Sequence, residues 1–230
     1  VLLVISALCA ALVSTAIAGR SLDPEIARKG LHVSMGVVTL ALPWLFVEFW
    51  PVLITAVFAA GILLALRTVP ALRCHGGALH AVRRDSLGEF HFALGACAVF
   101  LLAQGNKLLF VVPMLVLTFA DTAAALVGTR FGIHSYAIGH ARKTLEGSGA
   151  FLVVAFLCTY IPLALVTDAT APECAGIALM VAATATACEA IAGRGLDNLL
   201  VPLGAYATLA LLHDESAATA AASLLPIKTP

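Results

Sequence analysis

Residues 107–127 read KLLFVVPMLVLTFADTAAALV, a lysine followed by an apolar run without a charge until Asp121. About 20 such residues in sequence is the length of a helix that crosses the hydrocarbon core of a bilayer. Working outward, comparable runs recur at 1–18, 32–49, 51–66, 89–104, 149–167, 174–192 and 197–212. The pattern predicts an all-α, polytopic membrane protein of about eight transmembrane helices. Composition agrees: 61% of the 230 residues are hydrophobic and 11% are charged, against about 25% charged in ordinary soluble domains. Mean hydropathy is +1.03. Spans on this scale leave no room for a separate soluble domain, so 1–215 reads as one membrane-embedded unit and the Ala-rich 216–230 as a flexible tail. The first run lacks a basic leader, so it reads as a span and not as a cleaved signal. The six cysteines form no C-x-x-C pair; the four within apolar runs read as small core residues.

Charge placement sets the orientation. Thirteen Lys and Arg balance thirteen Asp and Glu, so no overall field attracts nucleic acid, and no protein partner is called for. Eleven of the thirteen cations (Arg20, Arg28, Lys29, Arg67, Arg73, Arg83, Arg84, Arg130, Arg142, Lys143 and Arg194) fall in alternate connections between the runs. Lys107 and Lys228 fall on the other side. Cytoplasmic loops hold the excess of Lys and Arg. The expectation is an integral protein of the cell (inner) membrane with both termini outside and its basic loops in the cytoplasm. Trp44, Phe46, Phe49 and Trp50 suit an aromatic belt at the outer interface.

The unusual polar residues gather on the basic face. Arg28, Lys29 and His32 stand at the start of the second span, and Arg84, Ser86, Gly88 and Glu89 at the start of the fourth. Asp121 ends the fifth; Gly128, Gly132, Arg142, Lys143, Thr144, Glu146, Gly147 and Ser148 lead into the sixth. Glu189 lies near the cytoplasmic end of the seventh, and Asp197-Asn198 opens the eighth. Singly, most have a plain structural explanation. A basic pair anchors a helix end, Ser86 with Glu89 makes a capping box, and Thr144 or Asp197-Asn198 can cap helices. Asp121 and Glu189 resist that explanation, because an acid at membrane depth is costly and belongs to a site or a specific partner.

Convergence adds weight. Carboxylates from four segments (Glu89, Asp121, Glu146, Asp197) share one face with Arg28, Lys29, Arg142 and Lys143. Carboxylates able to hold Mg²⁺, set among cations that neutralise phosphates, are what phosphoryl or nucleotidyl transfer needs. The glycines would let backbone N–H groups approach phosphate oxygens. Walker and protein-kinase signatures are absent from the sequence, so neither soluble kinase scheme applies. A transporter or small membrane subunit stands as a rival from another class. The one-sided placement of the polar residues argues against a path across the midplane.

These motifs resemble the membrane-embedded, CTP-dependent lipid kinases, the family of dolichol kinase, phytol kinase and CTP-dependent diacylglycerol kinase. The resemblance spans most of the chain. It rests on R-K-x-x-H at Arg28, Lys29 and His32, R-x-S-x-G-E at Arg84, Ser86, Gly88 and Glu89, and D-x-x-A-x-x-x-G-x-x-x-G at Asp121, Ala124, Gly128 and Gly132. K-T-x-E-G-S follows at Lys143, Thr144, Glu146, Gly147 and Ser148, then Glu189 and D-N-L-x-x-P at Asp197, Asn198, Leu199 and Pro202. The central block is also similar to that of phosphatidate cytidylyltransferases, which leaves CDP-diacylglycerol synthesis as an alternative. Their C-terminal P-G-H-G-G and D-R-x-D signature does not occur here.

The resemblance implies an enzyme that moves the γ-phosphate of CTP to the hydroxyl of a long-chain lipid alcohol (polyprenol or dolichol, phytol, or diacylglycerol) with Mg²⁺, at the cytoplasmic interface. On this reading Asp121, Lys143, Glu146 and Asp197 are catalytic. The nucleotide is held by Arg28, Lys29, Gly128, Gly132, Arg142, Thr144, Gly147, Ser148 and Asn198. The metal ligands are Asp121, Glu146 and Glu89, with His32, Arg84, Ser86 and Glu189 in support.

Overall fold

Among the described residues, the apolar runs of the sequence are helical. The computed structural model describes residues 24–68, 88–138, 141–193 and 195–223. The expected first span at 1–18, Arg84 and Ser86 lie outside the described residues, as does the side chain of Glu89. The helices are α1 (Pro24–Leu40), α2 (Phe49–Thr68), α3 (Gly88–Ala103), α4 (Lys107–Phe131), α5 (Leu145–Val166), α6 (Ala171–Ile191) and α7 (Asp197–Ser223). A single turn, Leu42–Leu45, joins α1 to α2. Three helices, α4, α5 and α6, are long and apolar enough to cross a membrane, and Phe49–Gly61 and Phe90–Ala103 are shorter apolar stretches.

Three boundaries differ from the sequence expectation. First, α1 starts at Pro24 and not at 32, which places Arg28 and Lys29 inside the helix; proline suits a first turn, where its missing N–H costs nothing. Second, α7 runs on to Ser223 through the Ala-rich stretch expected to be a tail, because alanine has the highest helix propensity. Third, the connection 128–148 has secondary structure of its own. It holds an antiparallel hairpin of β1 (Ser135–Ile138) and β2 (Ala141–Thr144), paired Ser135 with Thr144, Tyr136 with Lys143, Ala137 with Arg142 and Ile138 with Ala141. Among the described residues this small sheet is the departure from an otherwise helical architecture.

Helix α4 is the central element. Its Phe110, Val112, Met114, Val116 and Leu117 are buried in one core with Phe151 and Ala155 of α5, Val201 and Leu209 of α7, Phe100 of α3 and Met35 of α1. The outward faces are also apolar, as Val153, Leu157 and Leu165 of α5 and Leu179 and Met180 of α6 show. A helix apolar on both faces is solvated by lipid on the outside and packed against protein on the inside. Polar groups within the bundle satisfy themselves locally: the hydroxyls of Thr39, Thr55, Thr118 and Thr159 donate to the carbonyl four residues earlier at 2.7–2.9 Å. At one end of the bundle the Lys107 ammonium sits 5.3 Å from the centre of the Trp44 ring, and Asn106 caps α4 through Leu108 and Leu109 N–H. The other end carries the paired buried charges Lys29–Asp121 and Lys143–Glu189.

Candidate active site

Lys29, His32 and Gly36 are spaced three and four residues apart, so they lie on one face of α1. Gly36 lets that face press onto α4, for a side chain there would overlap Thr118. The part of α4 it meets is a π-helical turn, Val116–Ala120, three residues beyond Pro113. Proline lacks the N–H that would continue the ladder, and π-turns of this kind often mark functional sites. Two side chains of α1 use the rearranged backbone. His32 Nε2 stands 3.1 Å from the Leu117 carbonyl; a carbonyl only accepts, so the ring presents Nε2–H. Lys29 Nζ donates to Asp121 Oδ2 at 2.5 Å and to the Asp121 carbonyl at 3.3 Å, and His32 Nε2 lies 3.6 Å from the same Oδ2. Lys29 and Asp121 are 4% and 6% exposed, so the pair is enclosed by protein.

The second half of the cluster is delivered by the hairpin. Lys143 on β2 donates to Glu189 Oε1 on α6 at 2.5 Å and lies 3.8 Å from Asp197 Oδ2 at the start of α7. Burial alone would lower the pKa of Lys143, but the Glu189 carboxylate, with Asp197 and Asp121 nearby, outweighs it and holds the pKa above the ordinary lysine value. The hairpin is tied to α5 at three points. Thr144 caps the helix by accepting from Gly147 N–H at 3.1 Å. Glu146 accepts from the His134 backbone N–H at 3.2 Å and contacts His134 Nδ1 at 2.7 Å. Tyr136 Oη meets Ser148 Oγ at 2.6 Å. His134 and Tyr136 were not foreseen from sequence; they lie twelve residues before their partners, a separation that only strand pairing closes.

Some expected ligands are thus occupied with structure. Gly128 of α4 and Gly132, just past its end, are where Thr144 packs: an added Cβ on Gly128 would stand 2.9 Å from Thr144 Oγ1, and one on Gly132 would overlap the Thr144 side chain. A Cβ on Gly147 would stand 2.9 Å from the Ala124 carbonyl. The glycines therefore provide close packing between α4 and the start of α5. Asn198 is buried, its side-chain amide donating to the Gly88 carbonyl at 2.8 Å to join the starts of α7 and α3. Arg142 is exposed and follows the strand alternation onto the face opposite Lys143. Arg28 is half-buried beside Lys29.

The result is a cluster of two lysines, one histidine and three carboxylates (Lys29, His32, Asp121, Lys143, Glu189, Asp197) contributed by α1, α4, β2, α6 and α7 at one end of the bundle. Among the described residues no group of three or more His, Cys, Asp and Glu side chains forms a ready metal cage. Mg²⁺ needs less: it keeps several waters and takes one or two carboxylates together with substrate phosphates. The hard carboxylate oxygens of Asp121 and Asp197 beside two lysines fit a cation that arrives with a polyphosphate. Glu146 turns its carboxylate to His134 instead.

No protein-family model matches the chain, and no solved structure matches it. Over 191 residues it is 35% identical to the phytol kinase of Synechocystis sp., an overlap covering 80% of this chain and 78% of that relative. This stretch is too long to arise from membrane composition alone, and the cluster described above draws on helices from α1 to α7. The chain belongs to the CTP-dependent lipid kinase family, the family of polyprenol and phytol kinases.

Proposed function

We propose that this protein transfers the γ-phosphate of CTP to the hydroxyl of a long-chain lipid alcohol, with polyprenols, phytol and diacylglycerol as the candidate acceptors. The observation that carries this reading is the pairing of Lys29 with Asp121 and of Lys143 with Glu189 at one end of an apolar helical bundle. Phosphoryl transfer asks little covalent chemistry of a protein and depends on positioning and charge neutralisation. Lys143, presented by a hairpin pinned to α5, binds the terminal phosphate. Lys29 and Arg28 neutralise the remainder of the triphosphate. Asp121, with Asp197, would hold Mg²⁺, which when bound would supply charge neutralisation for the transfer. The apolar outer faces of α5 and α6 accept the lipid chain from the side and keep bulk water from the transfer.

The face carrying the cluster also carries Arg28, Lys29, Arg130, Arg142 and Lys143. By the excess of cations it is the cytoplasmic face of the cell membrane, where nucleotides are available. The test is direct. Purified Lys143→Ala and Asp121→Asn proteins are given labelled CTP and a panel of lipid alcohols, beside wild type. Loss of transfer by at least about 100-fold is expected for each, and full transfer by both would show that the reaction is carried elsewhere.

A further inference from the structure

Glu189 is 3% exposed, yet among the described residues one of its two carboxylate oxygens has a partner and the other has none. Oε1 accepts the Lys143 ammonium, while Oε2 is fully enclosed and accepts no hydrogen bond among the described residues. A buried carboxylate oxygen without a donor is costly to maintain, and a group kept in that state has a partner still to meet. The helix backbone beside it is closely packed. On the preceding residue, Cys188, α7 closes in so tightly that a Cβ on Gly204 would stand 2.7 Å from the sulfur. The salt bridge to Lys143 fixes the other oxygen.

Position narrows the partner's chemistry. Glu189 lies in the last turn of α6, a helix long and apolar enough to span the membrane and exposing Leu179, Met180 and Ile191 along its outer face. Glu189 itself lies on the inward face of α6, in line with Ala182 and Ala185, so the polar end of a lipid alcohol meets it at this depth when the chain enters between helices. Neighbouring acids do not compete for the role. Asp121 has its own lysine on Oδ2, Asp197 is nearer the surface, and Glu146 holds His134.

On the basis of the phosphotransfer reading above, we propose that Glu189 Oε2 is the acceptor for the substrate hydroxyl, placing it beside the phosphate held by Lys143. The alcohol donates its O–H to Oε2. As its oxygen bonds to the γ-phosphorus, that proton passes to the carboxylate. The bond from the γ-phosphorus to its bridging oxygen breaks, and its electron pair leaves with the nucleoside diphosphate. The protonated Glu189 returns its proton to water once the products depart. Glu189 is thereby a catalytic residue, beyond its support of Lys143.

The experiment uses the full chain with wild type in parallel, measuring CTP affinity by equilibrium binding and turnover with the best lipid alcohol. Glu189→Gln keeps an oxygen for Lys143 but replaces the free acceptor by an amide donor. The expected result is CTP affinity within about 3-fold of wild type and kcat lower by about 100-fold or more, the scale of a lost general base. Glu189→Asp keeps the charge and draws the oxygen back by one methylene; it should lose roughly 10- to 100-fold in kcat with CTP affinity unchanged. It carries the test should the Gln protein not fold. Turnover near wild type in the variant tested, or a loss of CTP affinity that accounts for the whole loss of turnover, overturns the proposal. In the second case Glu189 only positions Lys143. Should wild type itself transfer phosphate to no lipid alcohol, the phosphotransfer reading falls, and this proposal with it.

Discussion

Replacing Asp121 by alanine would leave the Lys29 ammonium enclosed, with the backbone carbonyl of residue 121, 3.3 Å away, as its remaining partner in this contact. The side chains of the two residues are 5% and 8% exposed, so water cannot take over from the carboxylate. Removing one member of a buried pair costs about 3–5 kcal/mol, most of it the penalty of an uncompensated charge and not the worth of the bond. For a chain of this size each kcal/mol shifts the melting temperature by about 2–4 °C, so the variant should melt about 6–20 °C below wild type. The origin of the loss is separable from mere truncation. Lys29→Met combined with Asp121→Ala removes the stranded charge and restores apolar packing, and should recover at least about half of the loss. The assay is a set of thermal melts in one detergent at one scan rate, since unfolding of such proteins is often irreversible. A shift below about 2 °C for Asp121→Ala, or a double variant no more stable than the single, would refute the view of this pair as a buried, interdependent unit.

Other consequences can be checked separately. His134→Ala and Tyr136→Phe each remove one tie between the hairpin and α5, worth about 0.5–1.5 kcal/mol. Kinetics on the purified proteins should show KM for the nucleotide rising about 2- to 10-fold with kcat nearly unchanged; a fall in kcat at constant KM would contradict a positioning role. In a cysteine-free background, an impermeant thiol reagent applied to intact cells should label Val47→Cys, 93% exposed at the Trp44 end, and spare Ile133→Cys, 81% exposed beside the cluster; the reverse pattern would invert the orientation. Native Cys174 cannot serve as the outer probe, because it is fully buried with its thiol on the Ala169 carbonyl.

The helical architecture could be read without coordinates, because membrane helices are specified by composition over about 20 residues. Six of the apolar runs lie largely within α2 to α7, and 32–49 overlaps α1 and the turn after it. The members of the charged cluster were legible too, since charge is so scarce in this chain that Asp121, Lys143 and Glu189 stand out against 61% hydrophobic residues. Spacing even holds the Lys29–His32–Gly36 face, a helical period visible in the sequence. What the tertiary structure decided is who pairs with whom. Lys29 reaches across 92 residues to Asp121, and Lys143 across 46 to Glu189, separations that no local period encodes. The same applies to the glycines after Asp121. Sequence offered them as a phosphate cradle; the fold adds that Gly128, Gly132 and Gly147 are also where Thr144 packs against the end of α4. Glu146 likewise turns from the lysine cluster to the hairpin. Composition sets which segments leave water, since that is a sum over a segment. Pairing of the few charges left inside depends on how the helices and one hairpin pack, and so it is a property of the assembled bundle.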